Sequence, residues 1–141
     1  MRWFSSPTPR MASAVLASSV LLAGTTAALA HGEAEPGPHG GEIRMPGAFH
    51  TEVVAASGAL RVYLLDMQFE NPQTAESSVE VTVRQQGETH RVECTAAERA
   101  FRCPLPDGVS LNAGALEVSA VRGGGQSWDA EYSLPLAFSG G

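Results

Sequence analysis

The chain contains no lysine, only two cysteines, and no hydrophobic run long enough to cross a membrane comfortably, which takes about 20 apolar residues. Without lysine, positive charge rests on nine arginines against fifteen acidic residues, and the formal net charge is −6. That balance argues against nucleic acid or an anionic membrane as partner. The two cysteines lack the CxxC spacing of a thiolate metal site. There is no Ser-His-Asp arrangement, no phosphate-binding loop and no pair of carboxylates in a catalytic setting, so the sequence points away from an enzyme. Internal repeats and convincing amphipathic helices are absent too.

Residues 1–30 read as a cleaved export signal. Arg2 and Arg10 make a positive start, MASAVLASSVLLAG is a short apolar run, and Ala28-Leu29-Ala30 fits the small-x-small cleavage pattern. No cysteine stands near the cut to carry a lipid, and no Arg-Arg pair marks the twin-arginine route. Cleavage after Ala30 leaves residues 31–141, a typical single-domain length with no membrane span. In that portion seven arginines face fifteen acidic residues, a net charge of −8. The expected location is the periplasm or the exterior. Cys94 and Cys103, in VECTAAERAFRC, suit such an oxidising compartment and are expected to form a disulfide. Closing a loop of about ten residues contributes roughly 2.5 to 3 kcal/mol in the chain-entropy model. A pair of thiolate metal ligands is the alternative.

Residues 31–47 are rich in Gly, Pro, Glu and His. With nothing to bury, they are expected to form a flexible, metal-binding arm. From residue 48 onward the hydrophobic period becomes two, the mark of half-buried strands. FHTEVVA (49–55) places Phe49, Thr51 and Val53 on one face, with His50 and Glu52 facing outward. ALRVYLLD (59–66) is apolar on both faces and is expected to be central. SVEVTVRQ (78–85) sends Val79, Val81 and Val83 inward. ETHRVEC (88–94) follows a Gln86-Gly87 turn, and RAFRC (99–103) puts Phe101 and Cys103 on one side. ALEVSAVR (115–122) and SWDAEYSL (127–134) send in Leu116, Val118, Ala120, Trp128, Ala130, Tyr132 and Leu134. TAAERA (95–100) has the composition of a single helical turn, and 104–114 reads as a loop. About seven short strands separated by turn residues predict an all-β fold, an antiparallel Ig-like β-sandwich over 48–141.

Three of the four histidines, together with Glu52, fall between residues 31 and 52. If cleavage follows Ala30, His31 offers both its α-amine and its imidazole to one ion. The amine, with a reference pKa of about 7.7 to 8.0, yields its proton readily to a metal. A third nitrogen then completes a planar or T-shaped set suited to Cu(II). In Pro38-His39-Gly40-Gly41, two glycines clear side chains from around the imidazole. His50 and Glu52 stand at i and i+2 on a strand, about 6.5 to 7 Å apart, and can lean toward one cation. Met45 and Met67 add thioethers, which select Cu(I). Each feature also has an ordinary reading: an exposed terminus, a glycine hinge, a solvated strand face, methionines in packing. His90 alternates with Val92 and Cys94 and reads as structural.

The PHGG unit resembles the copper-binding repeats of prion proteins over those four residues. The pattern HG…PHGG…HxE after an export signal resembles small periplasmic metal-binding proteins of bacterial copper and heavy-metal resistance loci. That resemblance implies His31, His39, His50 and Glu52 as ligands on a β-rich body. A looser likeness, through His31 alone, is to the copper-resistance C family, β-sandwiches whose mature first residue is a copper-binding histidine. The expected function is non-catalytic binding of copper, with Cu(II) favoured, Cu(I) possible and zinc the competitor. Binding would serve resistance, buffering or delivery to a metal-efflux or metalloenzyme-assembly partner. The contrasting class is a disulfide-stapled secreted sandwich used as a protein-interaction module. An oxidative enzyme built on an N-terminal histidine brace is a third, disfavoured by the short chain.

Overall fold

A computed structural model describes residues 34–140; residues 1–30, expected to be an export signal, and His31 lie outside that range. The described chain is all-β, two antiparallel sheets packed as a sandwich. Nine strands follow in order: β1 (Glu42–Arg44), β2 (His50–Ala56), β3 (Ala59–Leu65), β4 (Ser78–Gln85), β5 (Glu88–Glu93), β6 (Thr95–Ala97), β7 (Ala100–Pro104), β8 (Gly114–Val121) and β9 (Ser127–Leu134). The first sheet has the order β1-β2-β3-β7-β6, the second β5-β4-β8-β9.

Alternation of apolar side chains explains the second sheet directly. Val79, Val81 and Val83 on β4 face Leu116, Val118 and Ala120 on β8, with Ala130, Tyr132 and Leu134 beyond on β9, all buried. Leu60, Val62 and Leu64 of β3, with Val53, Phe101 and Cys103, close the core from the other side. As its two-faced apolar pattern implies, β3 is the middle strand of its sheet. One polar link crosses the core. Thr51 Oγ1 and Tyr132 Oη lie 2.5 Å apart, and the phenol donates to the Thr51 carbonyl at 3.0 Å. Burial pushes the Tyr132 hydroxyl far above its ordinary value of 10.0. It therefore stays protonated, as its donor role requires.

Four sequence expectations change. TAAERA is not helical: Thr95–Ala97 pair with Ala100–Arg102, and Glu98 turns the chain at φ 59°. Pairing with β7, held beside the Cys94–Cys103 disulfide, outweighs the weak helical preference of a six-residue piece. Trp128 is half-exposed because β9 is an edge strand. Its ring lies against the loop at Gly47, where a Cβ would come within 2.6 Å. Within the segment expected to be a loose arm, Glu42–Arg44 pair with Thr51–Val53 as β1. Finally, His50 and Glu52 share a face but are buried, at 6% and 0% exposure.

Cys94 and Cys103 are bonded where the chain leaves the second sheet after β5 and enters the first at β6. The bridge therefore pins the crossover between sheets. Replacing both cysteines by alanine is expected to lower stability by about 2 to 3 kcal/mol, read as a fall in the urea midpoint with little change in slope.

Candidate functional site

The outer face of the first sheet is where the candidate residues gather. Along β2 and β3 the side chains alternate, so Glu52 and Tyr63, direct cross-strand partners, both point away from the core. Residues 37–41 fold back over this face. Gly37 N–H donates to the Gly41 carbonyl at 2.8 Å and Gly40 N–H to the Gly37 carbonyl at 2.9 Å, closing a tight turn with His39 near its tip. The turn needs its glycines. Gly40 has φ 79°, a region open to glycine and strained for other residues. At Gly41 an added Cβ would collide with the Val53 carbonyl of β2. PHGG is thus explained locally by a left-handed turn and a close backbone approach.

Beneath the turn lies Glu52. Its Oε1 accepts from the backbone N–H of His39 at 2.8 Å and of Gly41 at 3.0 Å, and its Oε2 lies 2.7 Å from His39 Nδ1. An acceptor holding two amide protons takes a third from imidazole, so Nδ1 carries a hydrogen, and in the neutral ring Nε2 is then the nitrogen with the lone pair. The His39 ring also stacks on Tyr63, with centroids 3.7 Å apart and planes 3° from parallel.

His50 is held by a different device at the other end of the same face. Its Nδ1 lies 2.9 Å from the carbonyl oxygen of Asp66. A carbonyl only accepts, so Nδ1 is again the protonated nitrogen. Phe69 stacks on the ring at 4.0 Å, although its φ of 62° is rare for a bulky side chain. What compensates is Asp66, whose Oδ1 accepts from Gln68 N–H at 3.0 Å and Glu70 N–H at 2.9 Å, while Oδ2 accepts from Asn71 Nδ2 at 2.7 Å. These bonds, the Asn71 side chain first, lower the Asp66 pKa below its ordinary 3.8.

The methionines follow the two strands that flank β2, at the ends of β1 and β3. Met45 follows β1, whose last residue, Arg44, pairs with Thr51, the chain neighbour of His50. Met67 follows two positions after Leu65, which is the β3 partner of His50. Both are exposed, at 57% and 45%. His90 sits apart on β5, 3.3 Å from Glu88.

Among the described residues no group of three or more His, Cys, Asp or Glu is placed to hold a metal ion. His39 and Glu52 are brought together, as partners of each other. Cys94 and Cys103 are consumed in the disulfide. Tyr63, Asp66 and Phe69 order the two imidazoles and were not singled out from sequence; each acts through a fold contact without a local spacing signal. No family model, curated protein or solved structure matches this chain.

Two outcomes follow from these contacts. Glu52→Ala leaves two amide donors and an imidazole N–H without their acceptor, and is expected to cost about 3 kcal/mol or more in chemical denaturation. Because the Asp66 pKa is lowered on folding, its contribution is complete above the unfolded value of about 3.9 and fades as pH falls through the lower, folded value. Protection of the Gln68 and Glu70 amides, taken relative to their intrinsic exchange rates, should fall in that acid window, and Asp66→Asn should remove this loss of protection.

Proposed function

We propose that this is an exported copper-binding protein, non-catalytic, that buffers copper or passes it to a metal-efflux or metalloenzyme-assembly partner. The observation that carries the reading is the treatment of His39 and His50. Each has Nδ1–H committed to an oxygen, the Glu52 carboxylate in one case and the Asp66 carbonyl in the other. Metal-binding imidazoles are oriented in this way, with the tautomer set by the nitrogen that does not touch the ion. Nε2 of each ring is the donor left over.

The two histidines divide the chemistry. His39, 33% exposed at the tip of its turn, offers an imidazole nitrogen of the kind that suits Cu(II). Glu52 then serves as the carboxylate behind the His39 ring and not as a direct ligand. Met45 and Met67 follow the strands on either side of the one that His50 begins, and a nitrogen joined by two thioethers would favour Cu(I) over Zn(II). The likeness of the HG…PHGG…HxE pattern to periplasmic proteins of metal-resistance loci agrees with this, as does the disulfide with an oxidising compartment.

Copper titration decides the matter. The purified protein is expected to retain Cu(II), and Cu(I) under anaerobic reductant, through gel filtration. Met45→Leu/Met67→Leu should weaken Cu(I) by about tenfold or more while sparing Cu(II). His39→Ala/His50→Ala, with its fold checked by near-UV circular dichroism, should retain neither. A parent protein that elutes free of copper, or a double-histidine variant that holds it as tightly as the parent, overturns the reading.

A further inference from the structure

The same outer face carries a second feature that the metal reading does not use. A cavity of about 360 Å³ is lined by residues that include His39, Tyr63, Arg61, Arg99, Arg102 and Glu98. The volume lies at the lower end of the roughly 300 to 1,000 Å³ of small-ligand sites. Three arginines in one concavity are unusual in a chain whose acidic residues outnumber its arginines by fifteen to nine.

Their arrangement works against the bare protein. Arg61 on β3 and Arg102 on β7 are direct cross-strand partners, which sets two positive side chains opposite each other on one face, a destabilising pairing. The turn from β6 to β7 adds Arg99 to the lining. The other described arginines are all engaged. Arg44 meets Glu42 at 2.5 Å, Arg84 meets Glu117 at 3.2 Å and Arg91 approaches Glu80 at 3.9 Å. Arg122 donates to the carbonyls of Leu64 and Asn71. Among the described residues, none of the three cavity arginines has a carboxylate within 4.0 Å, although Glu98 shares the lining. His39, which also lines the cavity, is hydrogen-bonded to Glu52 and stacked on Tyr63, so two ordered rings join the arginines in the lining.

We infer that Arg61, Arg99 and Arg102 form a binding site for an oxyanion, the phosphate or carboxylate group of a small ligand. A planar guanidinium with paired N–H donors matches both groups in a bidentate manner, and three of them satisfy several oxygens at once. The bound anion supplies the negative charge that the opposed Arg61 and Arg102 lack. The site makes no use of Nε2 of His39, so it stands whether or not copper binds.

Isothermal titration of the chelator-treated protein, at constant sodium chloride, uses inorganic phosphate in one arm and citrate in the other. Saturable binding of phosphate alone marks a phosphate ligand, of citrate alone a carboxylate ligand, and of both a general oxyanion site. Arg61→Gln and Arg102→Gln should each weaken binding roughly tenfold to a hundredfold, the worth of a charge-assisted hydrogen bond. Arg91→Gln, whose arginine pairs with Glu80 on the other sheet, should bind like the parent. Without ligand, Arg102→Gln should melt no lower than the parent, because it relieves a like-charge pair. The inference is overturned if neither anion saturates the parent, or if Arg61→Gln/Arg102→Gln binds with unchanged affinity.

Discussion

The outer face of this protein depends on one buried carboxylate. Glu52 sits in the middle of β2 with no exposure to solvent, and an ionisable group there is costly unless its oxygens are satisfied. They are satisfied by a segment with almost nothing hydrophobic to contribute. Two amides and an imidazole from residues 39–41 converge on it. A polar, glycine-rich stretch that could not dock by burying apolar surface docks by hydrogen bonding instead. The strand pairing of Glu42–Arg44 with β2 continues the attachment. Arg44 extends it to the second sheet, donating to the Glu131 carbonyl and lying over the Tyr132 ring.

Several properties descend from that anchor. His39 is held in one tautomer and against Tyr63, so it is a wall of the arginine-lined cavity and a presented nitrogen donor at once. His50, at the start of the same strand, is ordered by an independent loop in which Asp66 holds Phe69 in an unfavourable backbone region. A strained residue kept over an imidazole by three hydrogen bonds is the pattern expected where position matters more than local stability. The inner face of the sheet, by contrast, is ordinary packing of Val, Leu and Phe with a single polar bridge from Thr51 to Tyr132.

Legibility in the sequence followed the physical range of each interaction. The alternation in β4, β8 and β7 was readable because period two is local and the inward residues are unambiguous. Centrality of β3 was readable because both its faces carry apolar side chains. The fate of His50 and Glu52 was not, since alternation says which side of the sheet a residue faces and not what later covers it. Polar residues opposite Phe49 and Val53 suggested solvent, whereas the covering layer came from residues 37–41 and 66–69. The same limit applies to β6, whose strand state is imposed by β7, and to Trp128, whose exposure reflects its place on an edge strand. The arginine cavity was invisible for a related reason: Arg61 and Arg102 are forty-one positions apart and meet only through the β3–β7 register.

By itself the sequence determined an all-β chain, the inward faces of its main strands and the pairing of its only two cysteines. Hydrophobic periodicity and cysteine number are properties of short stretches or of simple counting. Only the tertiary structure decided that PHGG is a turn clamped on Glu52, that two imidazoles each turn Nδ1 toward an oxygen, and that three arginines line one cavity. Those outcomes rest on contacts between segments remote in the chain, which no local pattern encodes.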